Sequence, residues 1–157
     1  MYTRGTVVAL LALLAGAATS AAANDLTWRR DIGPLIVAKC GGCHGASAPE
    51  YSDWMLMGDE KRKTVAPRMD NYPMFMTYVV WPGTGAMMRR LDDGKAAGGK
   101  PGNMYAYLGS SEEERARNLS TIKQWIGDGA WNLNRWKARG DVPGISKEQL
   151  EKVQAKY

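Results

Sequence analysis

One apolar run in the first third of the chain predicts a helix that leads directly into a pair of cysteines. Residues 35–38 are all apolar and follow Pro34, a residue that is tolerated in the first turn of a helix. Asp31 or Gly33 is placed to cap the first turn. The pattern therefore predicts a helix that begins near Ile32 and ends at the first cysteine.

A second amphipathic helix is predicted from about residue 111. Ser111 and Glu114 form an S-x-x-E pattern, which is typical of a capping box, and the acidic first turn suits the helix dipole. Gly127 and Gly129 mark its end. The apolar residues at helical spacing on one face are Ala116, Leu119, Ile122, Trp125 and Ile126.

Residues 45–109, between the two helices, are rich in Gly, Pro, Met, Tyr and Trp and show almost no strand pattern. Only Phe75–Trp81 has the composition of a strand, and this stretch equally suits a short buried helix. We expect short helices joined by loops. Because such a segment has little regular structure with which to form its own core, a large apolar cofactor is expected to organise it.

The chain begins with features of a secretory signal peptide. Arg4 precedes the apolar run Val7–Ala18, and Ala21 and Ala23 fit the A-x-A cleavage rule. The run is shorter than the roughly 20 residues that span a bilayer. We expect residues 1–23 to be removed and the mature chain to start at Asn24, with cleavage after Ala21 as the alternative.

The mature chain is long enough for one domain with a core. The whole sequence has a formal charge of +5, and the mature chain, which lacks Arg4, has a formal charge of +4. The basic residues are scattered along the chain. This distribution argues against a nucleic-acid partner.

Both cysteines and the only histidine lie within five consecutive positions, Cys40 to His44. C-x-x-C-H in an exported protein is the attachment signature of haem c. Sulfurs three positions apart on a helical turn face the same way and reach the two vinyl groups of one porphyrin, and the histidine that follows lies beneath the iron. The motif predicts thioether bonds at Cys40 and Cys43 and a proximal ligand at His44.

Two other kinds of site use a C-x-x-C pair. A thioredoxin-like redox motif follows a strand and precedes a long helix, whereas here a helix precedes the motif and Gly45 to Pro49 follow it. A structural zinc site needs four ligands, and the chain has no further Cys or His to complete it. Both alternatives are therefore disfavoured.

Two segments resemble class I monohaem c-type cytochromes: "DIGPLIVAKCGGCHG" is similar to the haem-binding helix, and "SEEERARNLSTIKQWIGDGAW" is similar to the C-terminal helix. The resemblance covers the two ends of residues 31–131. It implies an all-α, cytochrome c-like bundle of short helices around one covalently attached haem, with the first and last helices crossing. We assign residues 24–137 to this domain.

Residues 138–157 have no counterpart in the smallest members of that family. Ser146 and Gln149 repeat the capping pattern and predict a short helix in this C-terminal extension. Because it follows the helix that closes the fold, we expect the extension to contribute more to partner choice than to the fold.

The second axial ligand cannot be a histidine of this chain, since His44 is the only one. A methionine, another weak ligand or an open position remains. Met104 lies in a Gly/Pro-rich loop just ahead of the last helix of the domain, where the similar family places its ligand methionine. Met87 and Met88 are the alternatives, and most other methionines are expected to be core filler.

A haem with both axial positions filled has no room for substrate and transfers single electrons. We therefore expect an exported electron carrier that exchanges electrons with redox protein partners in the periplasm or at a membrane-bound complex, and no catalytic residues. The alternatives are a haem enzyme or gas binder with an open distal site, and a haem subunit of a larger oxidoreductase that docks through Trp131, Trp136 and the C-terminal helix.

Overall fold

The computed structural model describes residues 25–95, 99–133 and 144–157, and all regular structure within these ranges is helical. The all-α expectation is confirmed, whereas the expected signal peptide, residues 1–23, lies outside the described residues. No described helix has the length and apolarity needed to cross a membrane. The described elements are a π-helical turn Trp28–Ile32, α1 (Gly33–His44), α2 (Tyr51–Leu56), α3 (Asp59–Thr64), α4 (Tyr72–Met76), α5 (Ala86–Leu91), a 3-10 turn Tyr105–Leu108, α6 (Glu112–Ile126), a 3-10 turn Asp128–Ala130 and α7 (Lys147–Leu150).

The first helical segment begins earlier than the sequence pattern predicts. Thr27, rather than Asp31 or Gly33, is the cap, because its hydroxyl accepts a hydrogen bond from the Arg30 N–H at 3.2 Å. The Asp31 carboxylate accepts in return from the Thr27 N–H at 2.8 Å. The π-helical turn Trp28–Ile32 then continues into α1, which buries Ile36. This reciprocal cap brings Trp28 into the helix and into the core.

Helix α6 has the predicted bounds, and most of the residues predicted for its apolar face are buried. The Ser111 hydroxyl accepts from the Glu114 N–H at 3.2 Å, as expected for the cap, but the Glu114 carboxylate accepts from Ser110 rather than from Ser111. Gly127 ends the helix at a φ of 104°, a conformation that favours glycine. Four of the five predicted apolar residues are buried, and Ala116 is exposed: the buried residues are Leu119, Ile122, Trp125 and Ile126.

Short helices and turns fill the middle of the chain, as expected. The stretch that had the composition of a strand forms the end of α4 and the turns after it. Its Phe75 packs with aromatic residues from both ends of the domain, and ring centroids lie 5.2 Å apart for Trp28 and Phe75 and 5.8 Å apart for Phe75 and Trp125. We call Trp28, Tyr72, Phe75 and Trp125 the aromatic cluster.

The C-terminal tail, residues 144–157, packs on the aromatic cluster. The Lys156 carbonyl accepts from the Trp28 N–H at 2.9 Å and from the Trp125 indole at 2.8 Å. The Ala155 carbonyl accepts from the Tyr72 hydroxyl at 2.9 Å. The predicted capping box of Ser146 and Gln149 is confirmed.

These contacts show that the extension takes part in the fold, whereas its expected contribution to partner choice stays a prediction. The acceptors are main-chain carbonyls, which no side-chain pattern reveals. The tail supplies only one buried residue, Ala155, within its described range. The predicted domain boundary at residue 137, like Trp136, lies outside the described residues.

Candidate haem site

The two cysteines lie on the last turn of α1, three positions apart, so their side chains are on the same side of the helix. Cys40 is partly buried and Cys43 is exposed. Burial, with a smaller effect from Cys43, raises the pKa of Cys40 to about 11. A thioredoxin-like cysteine has a lowered pKa, so the environment of Cys40 does not fit that alternative.

The imidazole of His44, the last residue of α1, is held in a fixed orientation. Its Nδ1 lies 2.6 Å from the Pro67 carbonyl oxygen. Because a carbonyl only accepts hydrogen bonds, Nδ1 carries the proton and Nε2 keeps a free lone pair. Iron ligation by histidine requires this arrangement. The Pro67 carbonyl was not predicted, since a main-chain acceptor distant in sequence leaves no local pattern.

A second contact fixes the chain around His44. Its carbonyl accepts from the Met69 N–H at 2.9 Å, so residues 67–69 lie beside the end of α1. We call residues 45–66 the haem loop, because it is closed by these two bonds to His44. Its two helices, α2 and α3, contain no buried residue.

Gly45 is required by the sharp exit of the chain from the motif. A Cβ atom at this position would lie 2.3 Å from the Gly41 carbonyl oxygen, a distance that no side chain tolerates. Glycine therefore lets the chain turn away directly after the histidine, while residues 40–44 stay helical.

An ion pair connects the cysteine-bearing turn to α6. Lys39, next to Cys40, donates to the Glu114 carboxylate in the first turn of α6. The contact with Lys39, followed by the bonds from Ser110, lowers the pKa of Glu114 to about 2. The position of the motif is thus coupled to the helix that closes the domain.

Met104 immediately precedes the 3-10 turn Tyr105–Leu108, which contacts α1, α5 and α6. Its N–H donates to the Arg90 carbonyl at 2.9 Å, and its side chain is partly buried against the core. The alternative ligands differ in position, because Met87 and Met88 lie on α5 and are buried in the core. The structure therefore places Cys40, Cys43 and His44 at the end of one helix and Met104 next to a turn that touches this helix.

The zinc alternative finds no support in the same region. Across residues 25–95, 99–133 and 144–157, no three side chains of His, Cys, Asp or Glu come together in a group that could hold a metal ion. The groups at the end of α1 are instead the sulfurs of Cys40 and Cys43 and one oriented imidazole. This donor set fits haem c.

A helical domain with C-x-x-C-H at the end of its first helix, and with the histidine oriented by a carbonyl, is the arrangement of a c-type cytochrome. Residues 27–157 match the family model "PccH Cytochrome c", and the chain belongs to this family. It is a monohaem c-type cytochrome with a cytochrome c-like fold and one covalent haem c, as the sequence predicted. Haem c supplies one-electron redox chemistry at its iron.

Comparison with solved structures supports the same conclusion. The chain is similar to the monohaem cytochrome PccH from Geobacter sulfurreducens, with 46% sequence identity and a TM-score of 0.69. The match covers 84% of this chain and 98% of that one. A search of curated protein sequences gives no match. Because the family match continues to residue 157, the C-terminal tail belongs to the family sequence as well as to the fold.

Proposed function

We propose that this electron-transfer haem protein is an exported, periplasmic carrier that exchanges single electrons with redox protein partners. Haem is attached at Cys40 and Cys43, and the iron is ligated by His44 and Met104. The observation that carries the proposal is the 2.6 Å contact between His44 Nδ1 and the Pro67 carbonyl, which leaves Nε2 available for iron. Ligands that stay in place while the iron changes oxidation state suit a carrier.

The assignment of Met104 rests on the position of its loop. The loop is pinned by two main-chain bonds, from Gly102 to the Asp92 carbonyl at 2.8 Å and from Met104 to the Arg90 carbonyl at 2.9 Å. An irregular segment fixed in this way carries a sulfur without loss of helical hydrogen bonds. Met88, in contrast, is completely buried within α5 and acts as core packing.

The ligand assignment is tested by replacing each methionine in the haem-loaded protein. A thioether on ferric haem is expected to give a weak charge-transfer band in the far red. Met104→Ala should abolish this band, lower the reduction potential and open the iron to cyanide. Met88→Ala should keep the band although it destabilises the core. Retention of the band in Met104→Ala would refute the assignment.

Export is proposed from the N-terminal pattern of Arg4, the apolar run and the small residues up to Ala23. Expression of the full chain in a Gram-negative host should give a coloured protein that osmotic shock releases, with Asn24 as its first residue. A colourless protein that keeps residues 1–23 in the cytoplasm would contradict the proposal.

A further inference from the structure

A side-chain hydrogen bond fastens the 3-10 turn Tyr105–Leu108, which directly follows Met104, to α6. The Tyr105 hydroxyl donates to the Glu112 carboxylate in the first turn of α6, with 2.6 Å between the two oxygens. Tyr105 itself is only 6% exposed. A short bond from a hydroxyl to a charged acceptor is among the stronger hydrogen bonds in proteins. This bond therefore fixes the residue next to Met104 on the helix that closes the domain.

Arg115, one turn further along α6, strengthens this connection. Its Nε donates to the second carboxylate oxygen of Glu112 at 3.1 Å, and a terminal nitrogen donates to the Gly109 carbonyl at 3.2 Å. Because Tyr105 begins the turn and Gly109 follows its end, both ends of the turn are held on α6. The bond from Tyr105, followed by that from Arg115, lowers the pKa of Glu112, so its carboxylate is charged at neutral pH. We call Tyr105, Glu112 and Arg115 the turn clamp.

Main-chain bonds hold the same segment against α5. The Met104 N–H donates to the Arg90 carbonyl at 2.9 Å, and the Tyr105 N–H donates to the Gly102 carbonyl at 3.0 Å. Gly102 approaches α5 so closely that a Cβ atom there would lie 2.2 Å from the Arg90 carbonyl oxygen. Residues 102–108, which we call the Met104 segment, are thus held between main-chain atoms of α5 and the turn clamp on α6.

The position of a methionine sulfur depends on the main chain that carries it. A methionine side chain has three rotatable bonds, so it does not hold its sulfur in one place by its own stiffness. Met104 is also only half-buried, so side-chain packing fixes it incompletely. Segments with few buried contacts open locally at a small cost in free energy. Bonds that hold the Met104 segment closed therefore determine how much of the time the sulfur is in place.

We propose that Tyr105 is a positioning residue, whose bond to Glu112 keeps the Met104 segment closed and thereby keeps the thioether on the iron. The inference rests on the ligation proposed above for Met104 and adds the residue that maintains it. Tyr105 acts through the main chain of its neighbour and through α6, without a contact to the iron.

The test is a titration of the ferric, haem-loaded protein with imidazole, which replaces the methionine and abolishes the far-red band. Because imidazole reaches the iron only when the segment is open, its apparent affinity rises in proportion to the open population. Tyr105→Phe removes the hydroxyl and keeps the ring. We expect the far-red band without imidazole and an apparent affinity about fivefold higher or more, the size expected for one lost bond to a charged group that is partly exposed.

Two controls separate the hydroxyl bond from other effects. Tyr107→Phe changes a ring of the same turn that is 63% exposed, and it should leave the imidazole affinity unchanged. Trp125→Ala destabilises the whole fold at the other end of α6. Because global unfolding is much rarer than local opening, this variant should also leave the affinity unchanged.

Glu112→Gln provides a second arm, because it removes the charge that strengthens both bonds of the turn clamp. It should raise the imidazole affinity, whereas Glu113→Gln, at the next and exposed glutamate, should not. An unchanged affinity in Tyr105→Phe, with the far-red band present, would overturn the proposal. If the unmutated protein has no far-red band, ligation by Met104 is itself refuted, and the proposal fails with it.

Discussion

The aromatic cluster and the haem loop adjoin opposite ends of the first helical segment, and they are held in different ways. The cluster consists largely of buried side chains, with Trp28, Phe75 and Trp125 at most 6% exposed, and the C-terminal tail accepts three hydrogen bonds from it. The haem loop has no buried residue in either helix and is fixed by a few bonds to the main chain. The polypeptide alone therefore completes one region, whereas the cofactor completes the other.

Val37 shows the same contrast within a single helix. It lies one turn before Cys40 and is 54% exposed, whereas Ile36, its neighbour, is 2% exposed. Val37 is three positions before Cys40, so α1 leaves apolar surface beside the first cysteine without protein cover, which suits a helix that meets a large apolar group. Ile36, four positions before Cys40, packs into the core.

The largest effect is expected from Trp125→Ala. The variant removes a 2% exposed ring from the centre of the aromatic cluster together with its bond to Lys156. Loss of packing of this size costs about 3–5 kcal/mol in the free energy of unfolding. Denaturant unfolding of the haem-loaded protein measures this loss of unfolding free energy. The control is Leu56→Ala, which changes an 86% exposed side chain of the haem loop. Equal losses of unfolding free energy in Trp125→Ala and Leu56→Ala would contradict the difference between the aromatic cluster and the haem loop.

Removal of residues 154–157 is expected to have the next largest effect. The cut deletes the acceptors for the Trp28 N–H, the Trp125 indole and the Tyr72 hydroxyl. Because water replaces some of these bonds, we expect a loss of about 2–4 kcal/mol in unfolding free energy. Lys147→Ala, at an 84% exposed side chain of α7, should change it by less than about 0.5 kcal/mol. If the shortened chain is as stable as the full chain, the tail does not contribute to the stability of the fold.

A smaller effect is expected from Gly45→Ala, which acts on the haem loop. The new methyl group overlaps the Gly41 carbonyl and forces the chain to move where it leaves His44. We expect a loss of about 1–3 kcal/mol in unfolding free energy and a weaker bond from His44 to Pro67, visible as a shift of the His44 ring N–H resonance in the NMR spectrum of the ferrous protein. In Gly58→Ala the methyl group meets no atom within 4 Å, so both quantities should remain unchanged. Identical results for the two variants would refute the requirement for glycine.

The smallest effect is a pH dependence from Glu114. Its pKa lies below the ordinary value of 4.5, at about 2, so the stabilisation is fully present above pH 4.5 and is lost as the pH falls through about 2. Glu114→Gln should therefore flatten the acid side of the stability profile. Glu60→Gln, in an exposed pair with Lys63, is the control. If Glu114→Gln leaves the dependence of stability on pH unchanged, the result argues against the stabilising ion pair between Lys39 of α1 and Glu114 of α6.

Local sequence patterns predicted much of the fold and of the haem site. The features that they did not predict depend on contacts between residues distant in sequence. The caps at Ser111 and Ser146 and the C-x-x-C-H motif are short-range signals, so they were recognised from neighbouring residues. Pro67 and Lys156 act through main-chain carbonyls that bond to partners 23 and 31 positions away in sequence. Because every residue type has such a carbonyl, composition and periodicity do not identify these two acceptors.

The most direct test of the account is the reaction of the unmutated ferrous protein with carbon monoxide, followed by visible absorption. A carrier with His44 and Met104 on the iron is low-spin, and carbon monoxide enters only as fast as the methionine leaves. We therefore predict a low-spin spectrum and little or slow binding of carbon monoxide. A high-spin spectrum with rapid binding would contradict the account and identify a haem protein with an open distal site.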